Sequence, residues 1–145
     1  MNCIVYRSGY KYQLKASYSQ NIPIQPASPI VTEYIELDST GQLTLHKGYA
    51  WDGPSGPTID TVAFMRGSLV HDGLYQLMRE RHLDHKIHRK TADLLLRQIC
   101  QEDGMWWVVS WLVYVGVRLF ADPATDPAAD RPLVHAPRNC QTSQV

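Results

Sequence analysis

Gly67-Ser68-Leu69-Val70-His71-Asp72-Gly73-Leu74-Tyr75 sets a histidine and an aspartate side by side in an apolar, helix-compatible run. Burying two ionisable groups is costly unless they are paired or coordinated. On a helix, His71 and Tyr75 are one turn apart and share a face, while Asp72 points about 100° away. Extending outward, the helix is expected from about Thr61 to Arg79 or Arg81, weakened by Gly67 and Gly73. Glycine beside His71 and Asp72 lets another segment, or a substrate, approach closely.

A second helix is expected over about Ile87 to Glu102, with Gly104 as its C-terminal stop. It carries Asp93 among apolar residues, well placed to orient a histidine on a facing helix, and Arg89 is one turn from Asp93. His71, Asp72, Tyr75 and Asp93 therefore read either as a satisfied core network or as a catalytic or metal site. The connector between the helices holds His82, His85 and His88 at spacing three. Lys86, Arg81 and Arg89 would repel a cation there, so a solvated basic turn is the preferred reading over a metal cluster.

Upstream lies Gly48-Tyr49-Ala50-Trp51-Asp52-Gly53-Pro54-Ser55-Gly56-Pro57-Thr58. Its glycines and prolines forbid regular structure and can bring backbone groups close to an ion. Asp52, Gly53 and Gly56 are the candidate ion ligands of this loop, and Trp51 and Ser55 its binding candidates. The plain alternative is a strand-to-helix connector with Asp52 as turn former. The segment before it reads as strands. Tyr10 to Tyr18 alternates with period two, and Ile22 to Pro29 is proline-broken loop or edge. Thr32 to Leu37 and Gln42 to His46 form a hairpin around Asp38-Ser39-Thr40-Gly41, where Gly41 can take positive φ.

Downstream, Met105 to Phe120 is apolar on nearly all faces and is interrupted by Arg118. A membrane span needs about 20 apolar residues. A buried central helix, or one covered by a partner, is preferred to membrane contact, although its three tryptophans suit an interface. Residues 122–145 contain four prolines among small polar residues and lack a core-forming pattern. One α+β domain over 1–121 followed by an extended or disordered tail over 122–145 is the expected organisation: a small antiparallel sheet packed beside two or three helices.

The chain of 145 residues carries no formal net charge, which argues against a nucleic-acid footprint. Cys3, Cys100 and Cys140 form neither a disulfide framework nor zinc-ribbon spacing, which points to a reducing compartment. The start of the chain has no apolar signal region.

The Trp51-Asp52-Gly53 loop, Leu69-Val70-His71-Asp72-Gly73-Leu74-Tyr75, Arg89 with Ala92-Asp93, and Tyr114 with Val117-Arg118 together resemble a family of small proteins of unknown function. That family is encoded mainly by tailed phages and prophages, and the likeness spans roughly residues 40 to 120. It implies phage origin, and hence the host cytoplasm or a virion, with other virion proteins or a host component as partners. A more distant resemblance is to the calcium-dependent secreted phospholipases. There a glycine-rich loop precedes a helix bearing His-Asp-x-x-Tyr, and a second helix supplies an aspartate. That resemblance implies His71 as general base and Asp93 as its orienting acid. It also implies that Tyr75 hydrogen-bonds Asp93, and that Asp72 holds calcium with carbonyls of the Gly53–Gly56 loop. The flanking cysteines of those enzymes are absent here.

Three function classes are consistent with these residues. One is a metal-dependent hydrolase of esters or amides, using Ca2+ or Zn2+. The second is a virion or morphogenesis component with a structural His-Asp pair. The third is a binder of a host factor through the tryptophan-rich helix.

Overall fold

The computed structural model describes residues 4–6, 11–53, 62–126 and 134–136, with only the backbone of 4–6 and 134–136. Short antiparallel strands come first and three helices follow, the expected α+β arrangement. The strands are β1 (Ile4–Tyr6), β2 (Tyr12–Gln13), β3 (Tyr18–Asn21), β4 (Ile30–Val31), β5 (Ile35–Leu37), β6 (Gln42–Leu45), β7 (Ala50–Trp51) and β8 (Val134–Ala136). The helices are α1 (Val62–Arg79), α2 (His85–Glu102) and α3 (Trp107–Phe120), followed by a 3-10 turn at Asp122–Thr125.

The central sheet has the order β3-β6-β5-β4. Its β5–β6 hairpin pairs Ile35 with Leu45 and Leu37 with Leu43, and all four side chains are fully buried. Glu36 and Thr44 alternate to the other face, so period two sets the register. The turn is closed by Asp38, whose Oδ1 accepts from Thr40 N at 2.9 Å, Thr40 Oγ1 at 2.7 Å and Gln42 N at 2.9 Å. Gly41 takes φ +89° there.

The alternating stretch from Tyr10 to Tyr18 is not one strand. It bends at Lys15-Ala16 and divides between β2, which pairs with β7, and β3 in the central sheet. The change of sheet is fixed by two backbone bonds, Leu14 N to Tyr49 O and Gly48 N to Leu14 O. The proline-rich loop after β3 contributes to the core through Ile22 and Ile24, both buried.

α2 begins two residues earlier than expected, because Asp84 caps it by accepting from Lys86 N at 2.8 Å. Its end matches the expectation. Gly104 at φ +100° donates to Gln101 O, and Met105 N donates to Cys100 O. Arg66 on α1 ties the sheet to this end of α2. Its Nη1 reaches Tyr18 OH at 3.1 Å, while Nη2 reaches Asp103 at 2.8 Å and Glu102 at 3.0 Å.

The third helix corrects the expectation of a buried central element. Only Ser110 is buried, whereas Trp107, Trp111, Leu112, Leu119 and Phe120 are exposed. The described chain covers this helix from one side only. The region after Ala121 is also more engaged than its composition suggests. Thr125 is fully buried and bonds Asp122 O at 2.8 Å and His85 Nδ1 at 3.2 Å, while Arg79 donates to Ala124 O at 2.9 Å. Val134–Ala136 pairs with Ile4–Tyr6.

Candidate functional site

α1 carries His71 and Tyr75 on one face, with ring centroids 4.0 Å apart. That face packs on α2, and Gly67 permits the approach. A Cβ at position 67 would stand 2.8 Å from Cys100 Sγ and 3.1 Å from Leu96 Cδ1. Gly73, on another side of the helix, makes room for Leu45 of β6, whose Cδ2 would be 2.9 Å from an added Cβ. The space at these two glycines is thus taken by the protein's own second helix and sheet.

His71, Tyr75 and Asp93 converge as expected. Asp93 is fully buried, and its Oδ1 lies 2.7 Å from His71 Nε2 and 2.5 Å from Tyr75 OH. Two arginines complete the shell. Arg118 Nη1 donates to Asp93 Oδ2 at 3.0 Å, and Arg89 Nε stands 3.9 Å from the same oxygen. Arg89 also donates to Tyr75 OH at 3.3 Å and, through Nη2, to Val117 O at 2.7 Å and Arg118 O at 2.8 Å. Its Nη1 is 3.4 Å from Asp122 Oδ1. The cluster therefore joins all three helices and the turn that succeeds them.

The electrostatics follow from this packing. Burial alone would disfavour a charged imidazole, but the Asp72 and Asp93 carboxylates outweigh it, and the His71 pKa lies above its ordinary value. For Asp93, burial works against the anion, yet His71, Tyr75 and Arg118 hold the carboxyl below its ordinary value. Burial and the adjacent Asp93 carboxylate push the Tyr75 phenol well up, so it remains a donor.

His71 is nearly buried, and its second nitrogen faces the half-exposed Asp72. Nδ1 to Oδ1 is 3.9 Å, an electrostatic contact too long for a hydrogen bond. With Nε2 committed to Asp93, the imidazole can present a lone pair only at Nδ1. The edge beside Asp72 is where a water or substrate proton would have to arrive.

Neither arginine is among the candidate catalytic or metal residues of the sequence, although Arg89 stands one turn from Asp93 there and both belong to the motifs quoted above. The signal was Arg118 itself, a lone cation in an otherwise apolar helix, which needs a counter-charge once it is partly covered. The loop residues are placed differently. Trp51 belongs to the core: it packs on Tyr12 and Tyr49, and its Nε1 donates to Ser68 Oγ at 3.2 Å. Gly53 takes φ +72°, and an added Cβ would stand 2.5 Å from the Tyr12 ring, so its lack of a side chain serves packing. Asp52 is half-exposed. Ser55 and Gly56 lie outside the described residues.

A cation would have to compete for Asp93 with hydrogen bonds from His71, Tyr75 and Arg118 and with the Arg89 guanidinium nearby, so that carboxylate does not fit a metal. Among the described residues, no group of three or more His, Cys, Asp or Glu side chains is arranged to hold a metal ion. Of the set Asp72, Asp52, Gly53 and Gly56, the first three are described and Gly56 is not. His85, of the histidine-rich connector, faces Thr125 instead.

No described helix is long and apolar enough to cross a membrane. Comparisons with family models, curated proteins and solved structures find no match to this chain.

Proposed function

We propose that the protein is a hydrolase of ester substrates in which His71 is the general base. The observation that carries this reading is the division of the imidazole. Nε2 is held by a buried carboxylate at 2.7 Å, while Nδ1 is left beside the half-exposed Asp72. Asp93 fixes the tautomer and orientation of the ring, as an orienting acid does in nucleophile-activating dyads. Tyr75, Arg118 and Arg89 hold Asp93 anionic and still. Nδ1 would take a proton from a water attacking the ester carbonyl. The resulting imidazolium would lie between Asp93 and Asp72, and the raised His71 pKa reflects that stabilisation.

The test is turnover of soluble p-nitrophenyl esters and of dispersed phospholipids by the wild type, His71→Gln and Asp93→Asn, each checked for folding by circular dichroism. General-base loss is worth about 10²–10⁴-fold in rate. Turnover by wild type that is indistinguishable from His71→Gln on every ester would end the hydrolase reading. Repeating the assay with calcium, zinc or chelator, and with Asp72→Asn, tests metal dependence separately. Metal dependence requires wild-type turnover to respond to the ion and Asp72→Asn turnover not to respond.

A second reading is favoured by the saturation of Asp93. A carboxylate with hydrogen bonds from His71, Tyr75 and Arg118 and a second arginine nearby is also a structural knot, suited to a phage particle or morphogenesis component. Under that reading, His71→Gln lowers stability and no ester is turned over.

A further inference from the structure

The third helix is inverted relative to an ordinary surface helix. Its three polar side chains turn toward the protein. Ser110 Oγ accepts from Gln101 Nε2 at 2.9 Å, the Tyr114 ring lies under Arg97 with 5.8 Å from guanidinium carbon to centroid, and Arg118 binds Asp93. The outward arc carries Trp107, Trp111, Leu112, Leu119 and Phe120, exposed by 64, 49, 57, 68 and 80%. At 100° per residue these five side chains span about 220° of the helix, Arg118 falls between the directions of Trp107 and Trp111 and turns to Asp93, and Trp106 just before the helix is 65% exposed. Exposed apolar surface of this extent marks an interaction site.

The surroundings say what kind. Against the C-terminal end of the helix opens a cavity of about 220 Å³, lined by His85, Lys86, Arg89, Lys90, Arg118 and Asp122. Its one carboxylate, Asp122, faces Arg89 at 3.4 Å. Lys86 and Lys90 are exposed and make no ion pair with a described residue. They stand one turn apart on α2, and Arg97 continues the row two turns further, beside α3. A row of cations therefore runs alongside a helix with exposed apolar side chains at both ends, tryptophans at one and Leu119 and Phe120 at the other.

We infer that α3 and the exposed row of α2 form a docking surface for an anionic phospholipid layer. An anionic amphiphile supplies both demands together, a phosphate for the cationic cavity and hydrocarbon for the helix face. The helix is about 21 Å long at 1.5 Å per residue, short of the ~30 Å hydrocarbon core, so it lies in the interface plane rather than across it. Tryptophan is the side chain suited to that depth. The surface shares Arg118 and Arg89 with the His71 cluster but does not depend on the hydrolase reading.

The experiment is co-sedimentation of the full chain with phosphatidylcholine vesicles, with and without phosphatidylglycerol, together with tryptophan emission. The expected result is binding with a blue shift on the mixed vesicles, little binding to phosphatidylcholine alone, and weakening in high salt. Lys86→Gln and Lys90→Gln should each reduce partitioning about fivefold, the equivalent of ~1 kcal/mol per basic residue at an anionic surface. Leu119→Ser with Phe120→Ser should abolish binding. Both positions are open to solvent, so these variants should melt like the wild type and keep whatever turnover of soluble esters the wild type has. A protein that stays in the supernatant with both vesicles overturns the inference. So does equal binding to both vesicles that ignores the lysine substitutions. It is also overturned if sedimentation velocity shows a dimer that Leu119→Ser with Phe120→Ser dissolves while vesicles remain unbound, since the face would then be an interface between copies.

Discussion

Arg118 Nη1 lies 3.0 Å from Asp93 Oδ2, so the carboxylate that orients His71 from α2 is closed from the far side by α3. The contact has two consequences. It neutralises the Asp93 oxygen that His71 and Tyr75 do not bond, and it makes the placement of α3 depend on the same buried charge that holds the imidazole.

Removing the arginine while keeping its stem, as in Arg118→Met, should therefore destabilise the fold by about 1–3 kcal/mol. That is less than the ~3–5 kcal/mol typical of a broken buried pair, because the Arg118 side chain keeps partial solvent access. Asp93→Asn should cost more, since it leaves two guanidinium groups facing a neutral amide. Urea melts of the two variants should rank in that order. If Asp93→Asn melts like the wild type, the cluster is not what holds the helices together.

The pH response should separate stability from activity. The folded His71 pKa is raised. Its contribution is thus fully present below the unfolded imidazole value of about 6.5 and fades as pH climbs through the folded value. The Asp93 pKa is lowered. Its contribution is present above about 3.9 and lost as pH falls through the folded value. The pair should stabilise most between about pH 4 and 6.5. Catalysis by neutral His71 would run the other way, rising on the alkaline side with a midpoint above about 6.5. Urea melts and initial rates over one pH series measure both. A rate profile flat through that range would exclude His71 as the base.

Gly67→Ala should lower stability by about 1–2 kcal/mol, as overpacking against Cys100 exceeds the ~1 kcal/mol that alanine gains over glycine in a helix. Adding Cys100→Ala removes the clashing sulfur and should recover part of the loss. A double-mutant cycle on melting reads the coupling, and strictly additive effects would contradict the close approach of α1 and α2 at this glycine.

Two truncations should distinguish the 3-10 turn from the residues beyond it. Deleting 122–145 removes the buried Thr125 and the Arg79 and Arg89 contacts, whereas deleting 127–145 removes the strand paired with Ile4–Tyr6 but leaves those contacts in place. The first deletion should melt several degrees below the second, in line with the ~4–8 °C per kcal/mol expected for small domains. Equal melting would mean that the turn contributes nothing.

The parts that were legible in the sequence are those encoded by short-range spacing. The Asp38–Gly41 hairpin, the two helices and the meeting of His71, Tyr75 and Asp93 all follow from periods of two and 3.6 within one or two elements. The features that escaped depend on distant partners. The division of Tyr10 to Tyr18 between β2 and β3, and the two-residue β7, are defined only by pairing across the chain. The exposure of α3 is of the same kind. Its apolar composition is equally suited to a core or to an external surface, and nothing local says which side the rest of the chain will occupy. The partners of Asp93 were half visible: Arg89 at one turn's distance, Arg118 only as an interruption.

The two glycines of α1 have a mechanical meaning. They are six residues apart, about 240° around the axis, so they face the second helix and the sheet from different flanks. At both places backbone meets side chain with no spare volume. A helix wedged in this way cannot roll, because rolling toward either neighbour drives its backbone into the other. The bearing of the His71 ring is therefore set before anything binds, and whatever meets Nδ1 must travel to it.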